Sequence, residues 1–269
     1  MAPREVYVHG KWGIPSATID WCEENYAVTH YIAEFWNTVS NLVMIIPPFV
    51  TILIIIKQRF ENRFLLCHLG VLSVGVGSWC FHMTLLYSMQ LLDELPMIWG
   101  TAFLVYSFIE VDSPPNSHNK PLEVILLLYC LVVTIIYMTT NNTVFHEIAY
   151  GLMVACMVFA SVRMLLTMEC SKSLFITAFI FYMVGFLLWN IDNVYCGKLS
   201  YIRKDIAGML GPLSEMHAWW HIGAGLGTYL SIIFVTHTRY THLKKNPKFK
   251  VWLGFWPYVT LEETAGKKH

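Results

Sequence analysis

Two histidines four residues apart, His217 and His221, lie in the stretch His217-Ala218-Trp219-Trp220-His221. On a helix this spacing puts both rings on one face, as in helical metal-ligand pairs. Imidazole is a common zinc ligand, and a catalytic zinc takes three protein ligands and keeps one position for water. The pair supplies two of these, so a third must come from elsewhere. Taken alone, the stretch also suits an aromatic belt at a membrane interface with two incidental histidines.

Two further clusters carry polar groups where apolar sequence surrounds them. Gly77-Ser78-Trp79-Cys80-Phe81-His82 places Ser78 and His82 four apart, again on one helix face. By itself it equally describes a serine capping a turn and a histidine at an interface. Gln90-Leu91-Leu92-Asp93-Glu94-Leu95-Pro96 brings two carboxylates to the expected start of a helix, where the dipole favours them and a proline suits an early turn. Simple helix initiation explains that stretch as well. Ionisable groups inside membrane spans are costly and are functional candidates for that reason. His146 is the best rival ligand; the histidines at 9, 30, 68, 118, 237, 242 and 269 have no comparable pairing.

A fourth constellation is acidic. Asp20-Trp21-Cys22-Glu23-Glu24-Asn25 precedes Glu34. Carboxylates and an amide oxygen suit calcium, which takes six to eight oxygen ligands. There is no EF-hand loop glycine, and spacing alone fits a solvated acidic turn better.

The elements that must position these groups are membrane helices. Of 269 residues, 56% are hydrophobic and only 13% charged, against about 25% charged in a soluble domain; the mean hydropathy is +0.50. Eighteen basic residues balance eighteen acidic ones, so charge gives no case for nucleic acid. The first thirty residues hold Arg4, Glu5, Lys11, Asp20, Glu23 and Glu24 and no apolar run, so no removable leader is expected. About 20 apolar residues cross a bilayer. Seven spans are expected, at 35–56, 64–83, 92–110, 122–138, 145–166, 174–191 and 216–236, forming an all-α seven-helix bundle. The expected organisation is a lumenal segment at 1–34, a catalytic bundle at 35–236 and a basic cytoplasmic tail at 237–269. Thirteen of the eighteen basic residues then share the side of the C-terminus, with Arg4, Lys11, Lys198, Arg203 and Lys204 opposite. Basic residues favour the cytoplasm, so the N-terminus is expected in the lumen.

On this topology His82, Asp93, His217 and His221 lie at similar depth in the lumenal half. The sequon Asn141-Asn142-Thr143 falls on the same side. So do Cys22 and Cys196, where a disulfide persists, and a bridge between them is expected. The other five cysteines are expected as inert core residues.

Six stretches go further than spacing: DWCEENY at 20–26, AEFWNTVSN at 33–41, GSWCFHMTL at 77–85, QLLDELPM at 90–97, WNIDNVYC at 189–196 and HAWWH at 217–221. Together they resemble the alkaline ceramidases across 20–257, and within them the type 3, or phytoceramidase, branch. The resemblance implies a seven-span zinc amidase of the endoplasmic reticulum and Golgi membranes. It would take ceramide, dihydroceramide and phytoceramide from the bilayer and release a sphingoid base and a fatty acid. It implies zinc on His82, His217 and His221, and catalytic roles for Ser78 and Asp93. It also implies a regulatory calcium on Asp20, the Trp21 carbonyl, Glu23, Asn25 and Glu34, and a disulfide between Cys22 and Cys196. Adiponectin-type receptors, which also combine a serine, an aspartate and three histidines around zinc, are the alternative.

Overall fold

The computed structural model describes residues 10–206 and 208–261. Arg4, Lys267 and Lys268 of the charge count, and His9 and His269, lie outside the described residues. Eight α-helices follow in order: α1 Phe35–Ser40, α2 Leu42–Gln58, α3 Asn62–Thr84, α4 Tyr87–Ile109, α5 Lys120–Thr140, α6 Thr143–Thr167, α7 Lys172–Tyr201 and α8 Met216–His242. A π-helical turn, Ile202–Ile206, and a 3-10 helix, Gly208–Ser214, join α7 to α8. The chain closes with two antiparallel strands, β1 Pro247–Trp252 and β2 Trp256–Leu261.

Six helical segments are long and apolar enough to cross a membrane: Phe35–Gln58, Asn62–Thr84, Lys120–Thr140, Thr143–Thr167, Lys172–Lys204 and Met216–His242. The protein is therefore a mostly helical, multi-pass membrane protein. Helix α4 is not among these six, its apolar sequence being interrupted by Gln90, Asp93 and Glu94, so six of the seven expected spans are matched. The helical fold agrees with the all-α expectation, and a short hairpin follows its last helix. Residues 237–242 finish α8, and β1 pairs with β2 from Pro247↔Leu261 to Trp252↔Trp256.

Helix boundaries differ from expectation for local reasons. The first apolar stretch is divided at Asn41, whose amide group donates to the Asn37 carbonyl. Helix α4 begins five residues earlier than the 92–110 expectation. Leu85 adopts a left-handed φ of 53°, and its N–H donates back to the Phe81 carbonyl, so α3 turns directly into α4. Asp93, Glu94 and Pro96 are consequently inside a helix and not at its start. Helix α7 runs on to Tyr201 across a kink at Tyr195, beside the cysteine that forms the disulfide. Asn119 and Asn142 cap α5 and α6 by accepting from the Leu122 and Phe145 N–H groups.

Contacts divide the chain into two units. The first contains the described chain up to Ile46, then Gly70–Met97 and Phe179–Thr228. In it the N-terminal segment is pinned to the end of α3. The Ser16 and Ala17 N–H groups donate to the Leu85 carbonyl, Ala33 N–H to Met83, and Glu34 N–H to His82. The Cys22–Cys196 disulfide is formed, with the Cα atoms 5.3 Å apart, tying that segment to α7. Cys67, Cys80, Cys130, Cys156 and Cys170 are free thiols.

The second unit comprises Pro47–Leu69, Ile98–Ala178 and the described chain from Tyr229. Its anchor is Arg239 on α8, fully buried and paired through Nε with Glu61 Oε1 at 2.8 Å. A buried guanidinium needs such a partner and full hydrogen bonding; Arg239 also donates to the Val111 and Ser113 carbonyls. The hairpin is latched here, with Tyr229 Oη donating to the Pro257 carbonyl and Leu261 N–H donating to Gln58 Oε1.

Candidate active site

Three histidines from two helices converge in the first unit. His82 lies in the last turn of α3, and His217 and His221 in the first turns of α8. One ligand nitrogen from each can be chosen so that all three lie within 4.8 Å of one another. The rings are 1%, 4% and 4% exposed, and their centroids are 4.6–5.1 Å apart. Such a cluster of buried imidazoles matches the donor set of a catalytic zinc.

Each ring is held from behind. His82 Nδ1 is 2.5 Å from Glu34 Oε2, and His221 Nδ1 is 2.8 Å from Ser40 Oγ. The His217 ring stacks on Trp21 at 3.9 Å between centroids and 25° between planes. With Nδ1 occupied on His82 and His221, Nε2 is the nitrogen each has left for a metal. His146, the rival ligand, belongs to the second unit, beside Tyr137 at 5.0 Å.

Ser78 and Asp93 are brought together. Ser78 stands one turn before His82 on α3 and is 2% exposed. It hydrogen-bonds the Asp93 carboxyl on α4. Gly77 makes this crossing possible. A Cβ there would meet the Leu92 carbonyl oxygen at 2.0 Å and the Asp93 nitrogen at 2.9 Å, so only a residue without a side chain lets α3 and α4 approach so closely. Gln90 and Glu94 are tied to each other by an Nε2–Oε2 bond of 3.2 Å, and Gln90 also holds Thr18.

The acidic residues surround the start of α1. Glu23 accepts from the Trp36 and Asn37 N–H groups at 2.7 and 2.8 Å, so it caps α1 from a distance in sequence. Glu34 accepts from Trp21 N–H and from Asn37 Nδ2. Asn25 Nδ2 donates to Asp20 Oδ1, while the buried Asn25 Oδ1 has no partner among the described residues. Burial, reinforced by Glu34, pushes the Glu23 carboxyl up to about 8. Burial and then Asp20 hold Glu34 well above the usual carboxylate range. These oxygens are looser than the histidine triad, which is the one group of three or more His, Cys, Asp or Glu ligand atoms so gathered among the described residues.

Several residues escaped the sequence reading. Asp192, 2% exposed on α7, accepts from Cys22 N–H and from the His217 backbone N–H, so it fixes both the disulfide segment and the start of α8. An aspartate at the end of an apolar stretch was the available signal. Arg203 binds Glu215 and the Cys22 carbonyl, locking the approach to α8. Ser40 and the Trp21 ring gave no signal, because their partners are distant in sequence.

The ceramidase family model matches residues 13–260. The chain is 46% identical to alkaline ceramidase 3 of Mus musculus, over 94% of this chain and 95% of that one. It is 36% identical to alkaline ceramidase YPC1 of Saccharomyces cerevisiae, over 92% and 85%, and 29% identical to an alkaline ceramidase of Arabidopsis thaliana, over 94% and 95%. With the family match running through nearly all of the sequence, and these relatives covered almost end to end, the chain belongs to the ceramidase family.

Proposed function

We infer that this protein hydrolyses the amide bond of ceramide, giving a sphingoid base and a free fatty acid, at a zinc centre on His82, His217 and His221. The observation that carries this reading is the triad itself: three buried imidazoles with ligand nitrogens within 4.8 Å, two of them engaged through Nδ1 by groups behind them. The names of the relatives supply the substrate class.

Zinc bound there supplies Lewis acidity and brings the pKa of water at the centre down to about 7. Asp93 accepts the proton of the attacking water and delivers it to the amide nitrogen as the C–N bond breaks. Ser78 donates a hydrogen bond to the oxyanion that develops on the carbonyl. Its hydroxyl is bonded to Asp93 before reaction. Protonation of the carboxylate frees that hydrogen for the oxyanion, so the two groups act in sequence. The apolar helices hold the two hydrocarbon chains, so substrate enters from the lipid. Zinc analysis and ceramide hydrolysis on the same purified sample test the reading; full turnover by folded, zinc-free protein overturns it.

A calcium ion on Asp20, the Trp21 carbonyl, Glu23, Asn25 and Glu34 stimulates the reaction. The unpartnered Asn25 oxygen and the crowding of buried carboxyls support this, since a cation satisfies the first and offsets the repulsion of the second. Calcium titration of hydrolysis tests it; an unresponsive enzyme removes the ion.

Helix α4 is the seventh span. Its 23 residues reach about 35 Å at 1.5 Å per residue, and Asp93 and Gln90 have partners inside the first unit. The N-terminus faces the lumen of the endoplasmic reticulum and Golgi, and the C-terminus the cytoplasm. Dihydroceramide and phytoceramide are substrates beside ceramide. Terminal tags probed before and after permeabilisation test the orientation, and a ceramide panel tests the range.

A further inference from the structure

Ser40 closes α1 and makes two contacts. Its Oγ donates to the Asn37 carbonyl at 2.9 Å and lies 2.8 Å from His221 Nδ1. A serine hydroxyl has one hydrogen, and a carbonyl can only accept. The hydrogen therefore belongs to the Asn37 contact. The hydrogen in the second contact must then come from the ring, as His221 Nδ1–H donating to Ser40 Oγ. A tautomer is assigned from the bonds around the ring in this way.

We propose that Ser40 is a positioning residue for the metal centre, which fixes His221 as its Nδ1–H tautomer and so presents the Nε2 lone pair to the ion shared with His82 and His217. The proposal rests on the zinc reading above. The opposite tautomer would carry its hydrogen on the nitrogen that must bind metal. Partners of this kind behind ligating histidines set both ring orientation and ligand basicity.

The position of Ser40 is itself secured. Asn37, its acceptor, donates its backbone N–H to Glu23 Oε2 at 2.8 Å and its side-chain amide to Glu34 Oε2 at 3.1 Å. Asn37 is completely buried. One short helix thus carries both Nδ1 partners: Glu34 at its cap for His82, and Ser40 at its end for His221. The two differ in chemistry. Glu34 offers a carboxyl group, whereas Ser40 offers a hydroxyl. His217 differs again: its Nδ1 has no partner among the described residues, and its ring is held by the stack on Trp21.

The test uses Ser40→Thr and Ser40→Val, which share a shape and differ in the hydroxyl, with Ser40→Ala alongside in case the larger side chains pack poorly. In the zinc-free protein in detergent, ring ¹⁵N shifts should show His221 as Nδ1–H in the wild type and Ser40→Thr. That preference should be lost in Ser40→Val and Ser40→Ala. Zinc competition against a chelator should then show about 10- to 100-fold weaker binding in the variants without a hydroxyl and near-wild-type binding in Ser40→Thr. Unfolding midpoints of the zinc-free proteins should agree. A wild type that shows the Nδ1–H tautomer but binds no zinc overturns the metal reading, and the role of Ser40 with it. A wild type that binds zinc, beside Ser40→Val and Ser40→Ala proteins that bind it equally well, overturns the role of Ser40 alone.

Discussion

Glu34 and His82 meet twice. The Glu34 backbone N–H donates to the His82 carbonyl at 2.9 Å, and His82 Nδ1 lies 2.5 Å from Glu34 Oε2. The same carboxylate, through Oε1, receives the Trp21 N–H. One side chain therefore joins the acidic N-terminal segment to a histidine of the triad, with both residues fully enclosed.

Glu34→Ala should therefore affect both proposed ions. Loss of the group behind His82 should weaken zinc binding about 10- to 100-fold, and calcium stimulation should be lost in the same variant. Zinc competition and calcium titration of ceramide hydrolysis measure the two effects separately. A variant with normal zinc affinity and a normal calcium response has no use for this contact.

Ligand and acid–base roles separate by metal content. His217→Ala should lose zinc and hydrolysis together. Asp93→Asn should keep zinc and lose about 100- to 10,000-fold in turnover, the usual contribution of a positioned acid–base group. Metal analysis beside turnover decides it; an Asp93→Asn enzyme with near-normal rate would move the proton-transfer role elsewhere.

Gly77→Ala should separate α3 from α4. Its methyl group would overlap the Leu92 carbonyl, and overpacking of this kind costs about 1–3 kcal/mol. The Ser78–Asp93 bond depends on that crossing, so activity should fall further than zinc content. Thermal unfolding together with kcat measures both. Unchanged stability would show that the helices can part at no cost.

Removing the Cys22–Cys196 bridge by Cys22→Ser should destabilise the fold by about 2–4 kcal/mol. Non-reducing against reducing mobility of the wild type should show the bridge, and unfolding midpoints of the variant should fall. Calcium stimulation should weaken too, because Glu23 and Asp20 flank Cys22 in one segment. A variant as stable and as responsive as the wild type would make the bridge dispensable.

How much could be read without coordinates follows from the range of each interaction. The pair His217 and His221 needed only helical periodicity, and so did Ser78 with His82. Apolar runs located the helices, because crossing a bilayer imposes a length that composition reveals. Boundaries were less legible. The start of α4 was misplaced because Leu85 turns the chain in one left-handed step, a conformation residue type does not announce for leucine. The hairpin at Pro247–Leu261 was missed because basic residues masked its alternation, and its anchors Tyr229 and Gln58 lie far back in the chain.

The sequence by itself determined which residues are available for chemistry: three histidines, a serine, an aspartate and an acidic segment, set in apolar helices and arranged as in the alkaline ceramidases. Only the tertiary structure decided what stands behind them. Glu34 and His82 are 48 residues apart and Ser40 and His221 are 181 apart, and Asp192 reaches Cys22 across 170. Local periodicity fixes which face a side chain occupies, but hydrogen bonds at such separations exist only once packing has brought the helices together.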